Sequence, residues 1–192
     1  AVELLVRHGV SEIQVFLYDQ ADKVEKHFKR GRRWNVHLKY WQQPSVHPTV
    51  STIKHVCAQS SEPLLILPAD AIVDLDICAA LDFHQRHSGG VTAILSKPHS
   101  GETPNRKPFQ LDGTEGILSE PEPRQTTRLY LTETYILDPH ILASFPDEMP
   151  FDFQRMILPK LSEAGEAVFG YEMSGYWNPL DSLALFHSAQ LV

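Results

Sequence analysis

Apolar residues along this chain recur with two different periods, and the two alternate. Ile13 to Tyr18 is a β-branched and aromatic run and predicts a strand. Asp19 is placed to cap a helix over about Gln20 to Lys29. Asn35 to Trp41 alternates as a half-buried strand does, and Val50 to Ala58 has helical period after a polar loop with Pro44 and Pro48. Leu64 to Leu67 is a short continuous apolar run, which suits a strand buried on both faces of a parallel sheet. Leu75 to His87 is helical in period and Val91 to Ser96 is again a strand. Strands and helices in such alternation predict a parallel α/β sheet.

The pattern changes after Ser96. From Lys97 to Arg128 the chain is rich in Pro, Gly and polar residues, with short extended pieces at Phe109 to Leu111 and Gly116 to Leu118. A Pro-rich stretch of this length is more often functional than idle. Leu129 to Leu137 predicts one more strand, and helices follow at about Asp138 to Ser144 and Phe151 to Ala164. Ala167 to Met173 alternates as a strand, and a last helix runs from about Pro179 to Ala189. At the other end, Ala1 to Gly9 reads as the middle and end of an amphipathic helix, with Val2, Leu5 and Val6 on one face and Gly9 as a left-handed stop. No Met and no capping residue precede it, so the expectation is one domain over residues 1–192, cut from a longer polypeptide.

Composition narrows the class. Hydrophobic content of 42% and charged content of 21% are those of a soluble globular domain. No run of about 18 apolar residues is present, so no membrane span is expected. The formal charge of −7 argues against a nucleic-acid-binding surface. The two cysteines, Cys57 and Cys78, are expected to be buried free thiols in helices, which suits a reducing, cytoplasmic setting.

Several anchors occur in a fixed order over almost the whole chain. They are the stretch Leu4 to Val15, the strand Leu64 to Leu67 with Asp70, and Asp74-Leu75-Asp76 before a helix holding Phe83-His84. Tyr135-Ile136-Leu137-Asp138-Pro139, Phe151-Asp152-Phe153, Gly170-Tyr171 and Gly175-Tyr176-Trp177 complete them. Together they resemble the sugar-phosphate nucleotidyltransferase family, which joins a nucleoside triphosphate to a sugar 1-phosphate. The resemblance implies a Rossmann-like, mostly parallel mixed sheet flanked by helices, with the ligand beyond the carboxyl ends of the strands. It also implies a magnesium ion held by carboxylates as the sugar phosphate attacks the α-phosphorus.

Carried over residue by residue, the resemblance makes Asp70 the catalytic and metal-binding acid, and Glu120 the remnant of an E-K-P motif that lines the sugar pocket. It places Thr49 in the loop near the base. Trp177, beside Tyr176, is read from the residues either as a stacking contact for a base or sugar or as packing at the junction of the last strand and helix. Asp181 becomes a displaced second metal ligand, because Pro179 stands where that aspartate belongs. The family's first strand and its G-G-x-G-T-R-L phosphate loop fall upstream of Ala1. Other motif residues differ. Pro48 and Ser51 replace the glycines of the L-G-T-A-G loop, the lysine of E-K-P is absent from Glu120-Pro121-Glu122-Pro123, and Leu131-Thr132-Glu133 replaces N-A-G.

Two functions follow from these residues. One is a magnesium-dependent transferase whose partners are a nucleoside triphosphate and a sugar 1-phosphate. The other is a non-catalytic member of the same fold that binds a nucleotide sugar or a partner subunit as a regulator or scaffold. The basic run Lys26 to Arg33 reads as a solvated helix end. His84 and His87 share a helix face, but no third residue is spaced to complete a zinc site with them.

Overall fold

The computed structural model describes residues 1–58, 61–87, 90–97, 106–112, 116–119 and 128–191. Helix α1 (Val2–Arg7) leads into strand β1 (Glu12–Leu17), helix α2 (Ala21–Phe28) and strand β2 (His37–Gln42). Helix α3 (Val50–Cys57), the short strands β3 (Leu64–Ile66) and β4 (Ile72–Val73), helix α4 (Ile77–Arg86) and strand β5 (Val91–Ser96) follow. Then come β6 (Pro108–Asp112), β7 (Ile117–Ser119) and the long β8 (Leu129–Leu137). A 3-10 segment (Pro139–Ser144), a π turn (Phe153–Ile157) and helix α5 (Leu158–Glu163) precede β9 (Phe169–Glu172), β10 (Trp177–Asn178) and α6 (Leu183–Ala189).

All six residues of β5 are buried, and side chains on a strand alternate between faces. Val91, Ala93 and Leu95 therefore enter one core with Ile53 of α3, Leu142, Ile157 and Leu161 of α5. Ile94 enters a second core with Leu4 and Leu5 of α1, Ala80 of α4, Ile136 and Trp177. Helices thus cover both faces of one six-stranded sheet, ordered β3-β8-β5-β9-β7-β6. Strands β3, β5, β6 and β9 run one way and β7 and β8 the other. This is the mixed, helix-flanked α/β sheet expected. No described helix is long and apolar enough to cross a membrane.

β1 and β2 form a separate parallel pair, in register from Glu12 with His37 to Leu17 with Gln42. Among the described residues β1 pairs only with β2, and β3 only with β8. Their second edges are open, and a slot of about 1910 Å³ is lined by both strands. Leu64 to Ile66 are for this reason only half-buried, not enclosed on both faces between parallel neighbours.

Other local expectations change for similar reasons of packing. Asp19 accepts from the amide of Gln20 at 2.8 Å, but Gln20, left-handed at φ 55°, is the residue that caps α2. Asp76 caps α4 by accepting from Ala79 N at 3.0 Å, while Asp74 pairs with Arg7 at the surface. Cys57 is buried and Cys78 is exposed, because α4 turns Ile77, Ala80 and His84 inward. Helix α1 buries Leu4 and Leu5, while Val2 and Val6 stay half-buried. Its stop is as read, with Gly9 at φ 78°.

Gly175 shows why the Gly-Tyr-Trp run begins with glycine. β10 pairs antiparallel with β4, and Asp74 N donates to Tyr176 O at 2.8 Å. A Cβ at 175 would lie 1.8 Å from the Asp74 carbonyl oxygen. Backbone on both sides has nowhere to retreat, so Gly175→Ala is expected to cost about 2–3 kcal/mol, as overpacking of a tight contact does. A urea titration followed by tryptophan fluorescence measures it.

Candidate active site

The slot runs from the apolar walls of β1 and β3 to a polar group that includes Asp70, Arg106, Glu133, Asp152 and Asp181. An irregularity in β8 sets this group. Ala93 of β5 pairs with Tyr135 and Leu95 pairs with Leu131, so β8 uses four residue steps where β5 uses two. The surplus is a bulge at Thr132 to Thr134. Thr132 Oγ1 donates to Ile94 O at 3.0 Å and accepts from Thr134 N at 3.3 Å, which replaces ladder bonds lost there. Bulges re-aim side chains near functional sites. Here Glu133 takes a left-handed backbone (φ 60°) and its carboxylate lines the slot.

Arg106 meets that carboxylate, its Nη1 lying 2.7 Å from Glu133 Oε1. Its Nε lies 3.5 Å from Asp181 Oδ2, a longer and weaker contact. Asp181 is held by a second strained loop. The buried Asn178 donates through Nδ2 to Leu185 O at 2.9 Å and accepts from Leu180 N through Oδ1 at 2.9 Å, with Leu180 at φ 53°. A left-handed backbone at a residue other than glycine costs of order 1–3 kcal/mol and gathers at functional sites. Two such positions, Glu133 and Leu180, flank one arginine.

Tyr135 closes the group from below. It is 3% exposed, its ring stacks on Phe153 at 3.9 Å, and its hydroxyl donates to Glu133 Oε2 at 2.7 Å. Burial above all, then the charge and hydrogen bond of Glu133, hold the Tyr135 phenol well above its ordinary value of 10.0, against the opposing pull of Arg106. The phenol is therefore a neutral donor at physiological pH.

The residues singled out from the sequence do not all meet here. Asp70 follows β3 at its carboxyl end, is exposed and lines the slot. It makes no hydrogen bond or ion pair among the described residues. Asp181 also lines the slot, but it faces Arg106. Thr49 is not in the lining. It caps α3, accepting from Thr52 N at 3.3 Å. Trp177 is 2% exposed in the second core and is not in the lining of the slot, so of its two readings the structure favours the packing one. It packs there because β10 lies beside β4 over α1 and α4. Glu120 lies outside the described residues. His84 bonds Thr92 Oγ1 at 2.9 Å, whereas His87 bonds the Phe83 carbonyl at 2.6 Å.

A family model described as Nucleotidyl transferase matches residues 1–182. The chain belongs to the nucleotidyl transferase family. It is similar to a UTP–glucose-1-phosphate uridylyltransferase of Synechocystis, 23% identical over 92% of this chain and 50% of the relative. A glucose-1-phosphate cytidylyltransferase of Salmonella typhi is 26% identical over 84% of the chain and 61% of the relative. The chain therefore spans about half to three fifths of these relatives. Among solved structures, HddC from Yersinia pseudotuberculosis complexed with GMP-PN superposes with a TM-score of 0.75 at 18% identity, covering 97% of this chain and 80% of that one.

As a nucleotidyl transferase domain, the chain was expected to hold magnesium through Asp70 and Asp181. The donor set does not make a magnesium site by itself. Asp70 is one free carboxylate, Asp181 faces Arg106, which it shares with Glu133, and no group of three metal-ligating side chains occurs among the described residues. Arg106 and Tyr135 were not foreseen as site residues, and no spacing in the sequence joins Arg106 to either acid. The one signal was Glu133, where the nucleotidyltransferase resemblance has a glycine, the residue that suits a left-handed backbone.

The phenol of Tyr135 offers a direct check on this geometry. On titration at 295 nm it is expected to ionise later than exposed tyrosines. In Glu133→Gln its midpoint should fall yet stay above 10, since burial, the larger cause, remains. An unfolded tyrosine ionises near 10 and the folded one higher, so the unfolded state sheds its proton first. Tyr135 thus contributes stability below pH 10 that is lost as pH rises beyond it, and urea midpoints at successive pH values measure that loss.

Proposed function

We propose that this chain binds a nucleoside triphosphate or a nucleotide sugar in the slot, as a non-catalytic regulatory or scaffold domain of the nucleotidyl transferase fold. One observation carries this: the ion-pair group of Glu133, Arg106 and Asp181. Nucleotidyl transfer needs positive side chains free to meet charge developing on phosphorus and on pyrophosphate. In this chain Arg106 already faces two carboxylates, and one of them was the candidate second metal ligand. Pro48 has no amide hydrogen and Ser51 carries a side chain where the resemblance needs close backbone approach. Such a domain serves a larger assembly, with a partner subunit or another part of its own polypeptide reading the bound ligand. Two unpaired thiols suit a cytoplasmic setting.

The free carboxylate of Asp70 favours a second reading, an active transferase acting on a nucleoside triphosphate and a sugar 1-phosphate. In that case a segment upstream of Ala1 supplies the phosphate loop and a strand between the open edges of β1 and β3. A magnesium ion would be shared by Asp70 and the triphosphate's own oxygens, and it would neutralise charge on the phosphates. Glu120 would line the sugar pocket.

Calorimetry on the natural-length protein separates these. The expected result is binding of a nucleotide sugar or triphosphate that survives EDTA and Asp70→Ala, with no pyrophosphate released from triphosphate and sugar 1-phosphate. Pyrophosphate release that is lost in Asp70→Ala would establish the transferase. Absence of heat from every nucleotide and nucleotide sugar would remove both readings.

A further inference from the structure

Glu133 is bound as a ligand would be. Its two carboxylate oxygens are taken by donors from different elements, Arg106 Nη1 at 2.7 Å and the Tyr135 hydroxyl at 2.7 Å. Two charge-assisted contacts of this length on one planar anion describe a two-pronged anion site. The donors and the acceptor differ in freedom. Tyr135 is locked by burial and by stacking on Phe153. Arg106 has a second carboxylate, Asp181, to keep it in place. The Glu133 side chain is 36% exposed and can turn out to solvent without opening a core.

The backbone sharpens the contrast. Glutamate sits left-handed in a bulge where glycine would be unstrained. An ion pair kept only for stability has no need of that position. Another anion seated in the place of Glu133 would keep the buried phenol donor partnered and give the guanidinium a second acceptor beside Asp181.

We propose that Glu133 is an internal surrogate for the phosphoryl group of a ligand, so that binding in the slot is an exchange of one anion for another. Arg106 and Tyr135 are the contacts that pass from Glu133 to the phosphoryl oxygens, and Asp181 is a positioning residue that holds Arg106 during the exchange. This rests on the reading that the slot takes a phosphorylated ligand. It adds that the ligand competes with the protein's own side chain, so apparent affinity is reduced by the fraction of molecules in which Glu133 is seated.

The test is calorimetric titration of the natural-length protein with inorganic pyrophosphate, and separately with inorganic phosphate. Glu133→Gly is expected to bind pyrophosphate about tenfold more tightly than the unmodified protein, since the competitor is gone. Glu133→Asn, which also tolerates a left-handed backbone, should show the same gain if glycine loosens the bulge. Adding Arg106→Met to either variant should abolish the gain. Near-ultraviolet circular dichroism confirms that each variant keeps its fold. No gain in either variant, or a gain that survives Arg106→Met, overturns the proposal. If the unmodified protein binds nucleotide sugars while Glu133→Gly gains nothing, only this inference falls. If the variant gains pyrophosphate affinity but the protein binds no nucleotide, the slot reading falls and the anion site stands.

Discussion

The pairing of β8 with β5 is the constraint on which the rest of the molecule depends. β5 is buried on both faces, so its neighbours must supply every hydrogen bond its backbone lacks. β8 does so along one side, from Leu137 opposite Val91 to Tyr130 opposite Ser96, and it also carries β3 and touches β6. A strand with three neighbours cannot slip by one residue without turning its apolar side chains to the wrong core. The surplus residues of β8 therefore have to leave the ladder at one place. They leave it at Thr132 to Thr134, and the site is built on that departure.

From this follows the arrangement of charge. The bulge delivers Glu133 to the slot, directly above Tyr135 two residues on. The loop after β10 delivers Asp181 from the other side, pinned by the buried amide of Asn178. Arg106 lies between them. Four polar side chains from three distant parts of the chain meet where the bulge within β8 faces the loop after β10 and the residues just before β6. Two of the backbone positions involved are strained. That strain is small against the cooperative burial of two cores, which is what lets the fold sustain it.

The open edges of β1 and β3 set the other wall. Among the described residues neither has a strand partner along that edge, and half-buried apolar side chains lie beside it. An isolated edge of this kind invites pairing with another strand. The slot between them, about 1910 Å³, is lined by residues of both strands.

Local pattern alone determined much of this protein. Alternation and apolar runs located β1, β2, β5, β8 and β9, and helical period located α3, α4 and α5, because these signals come from side chains within one element. Ordered motifs then identified the family and brought Asp70 to the carboxyl end of β3. Tertiary structure decided what lies between elements. It made Trp177 a core residue and Thr49 a helix cap, since burial depends on what packs from elsewhere. It set Asp181 opposite Arg106, a neighbour that no sequence spacing shows, since a charge acquires its surroundings from what packs beside it. It also set Glu133 in a bulge, because the surplus length of β8 exists only relative to β5. No residue within β8 records that mismatch, so only the folded sheet could show it.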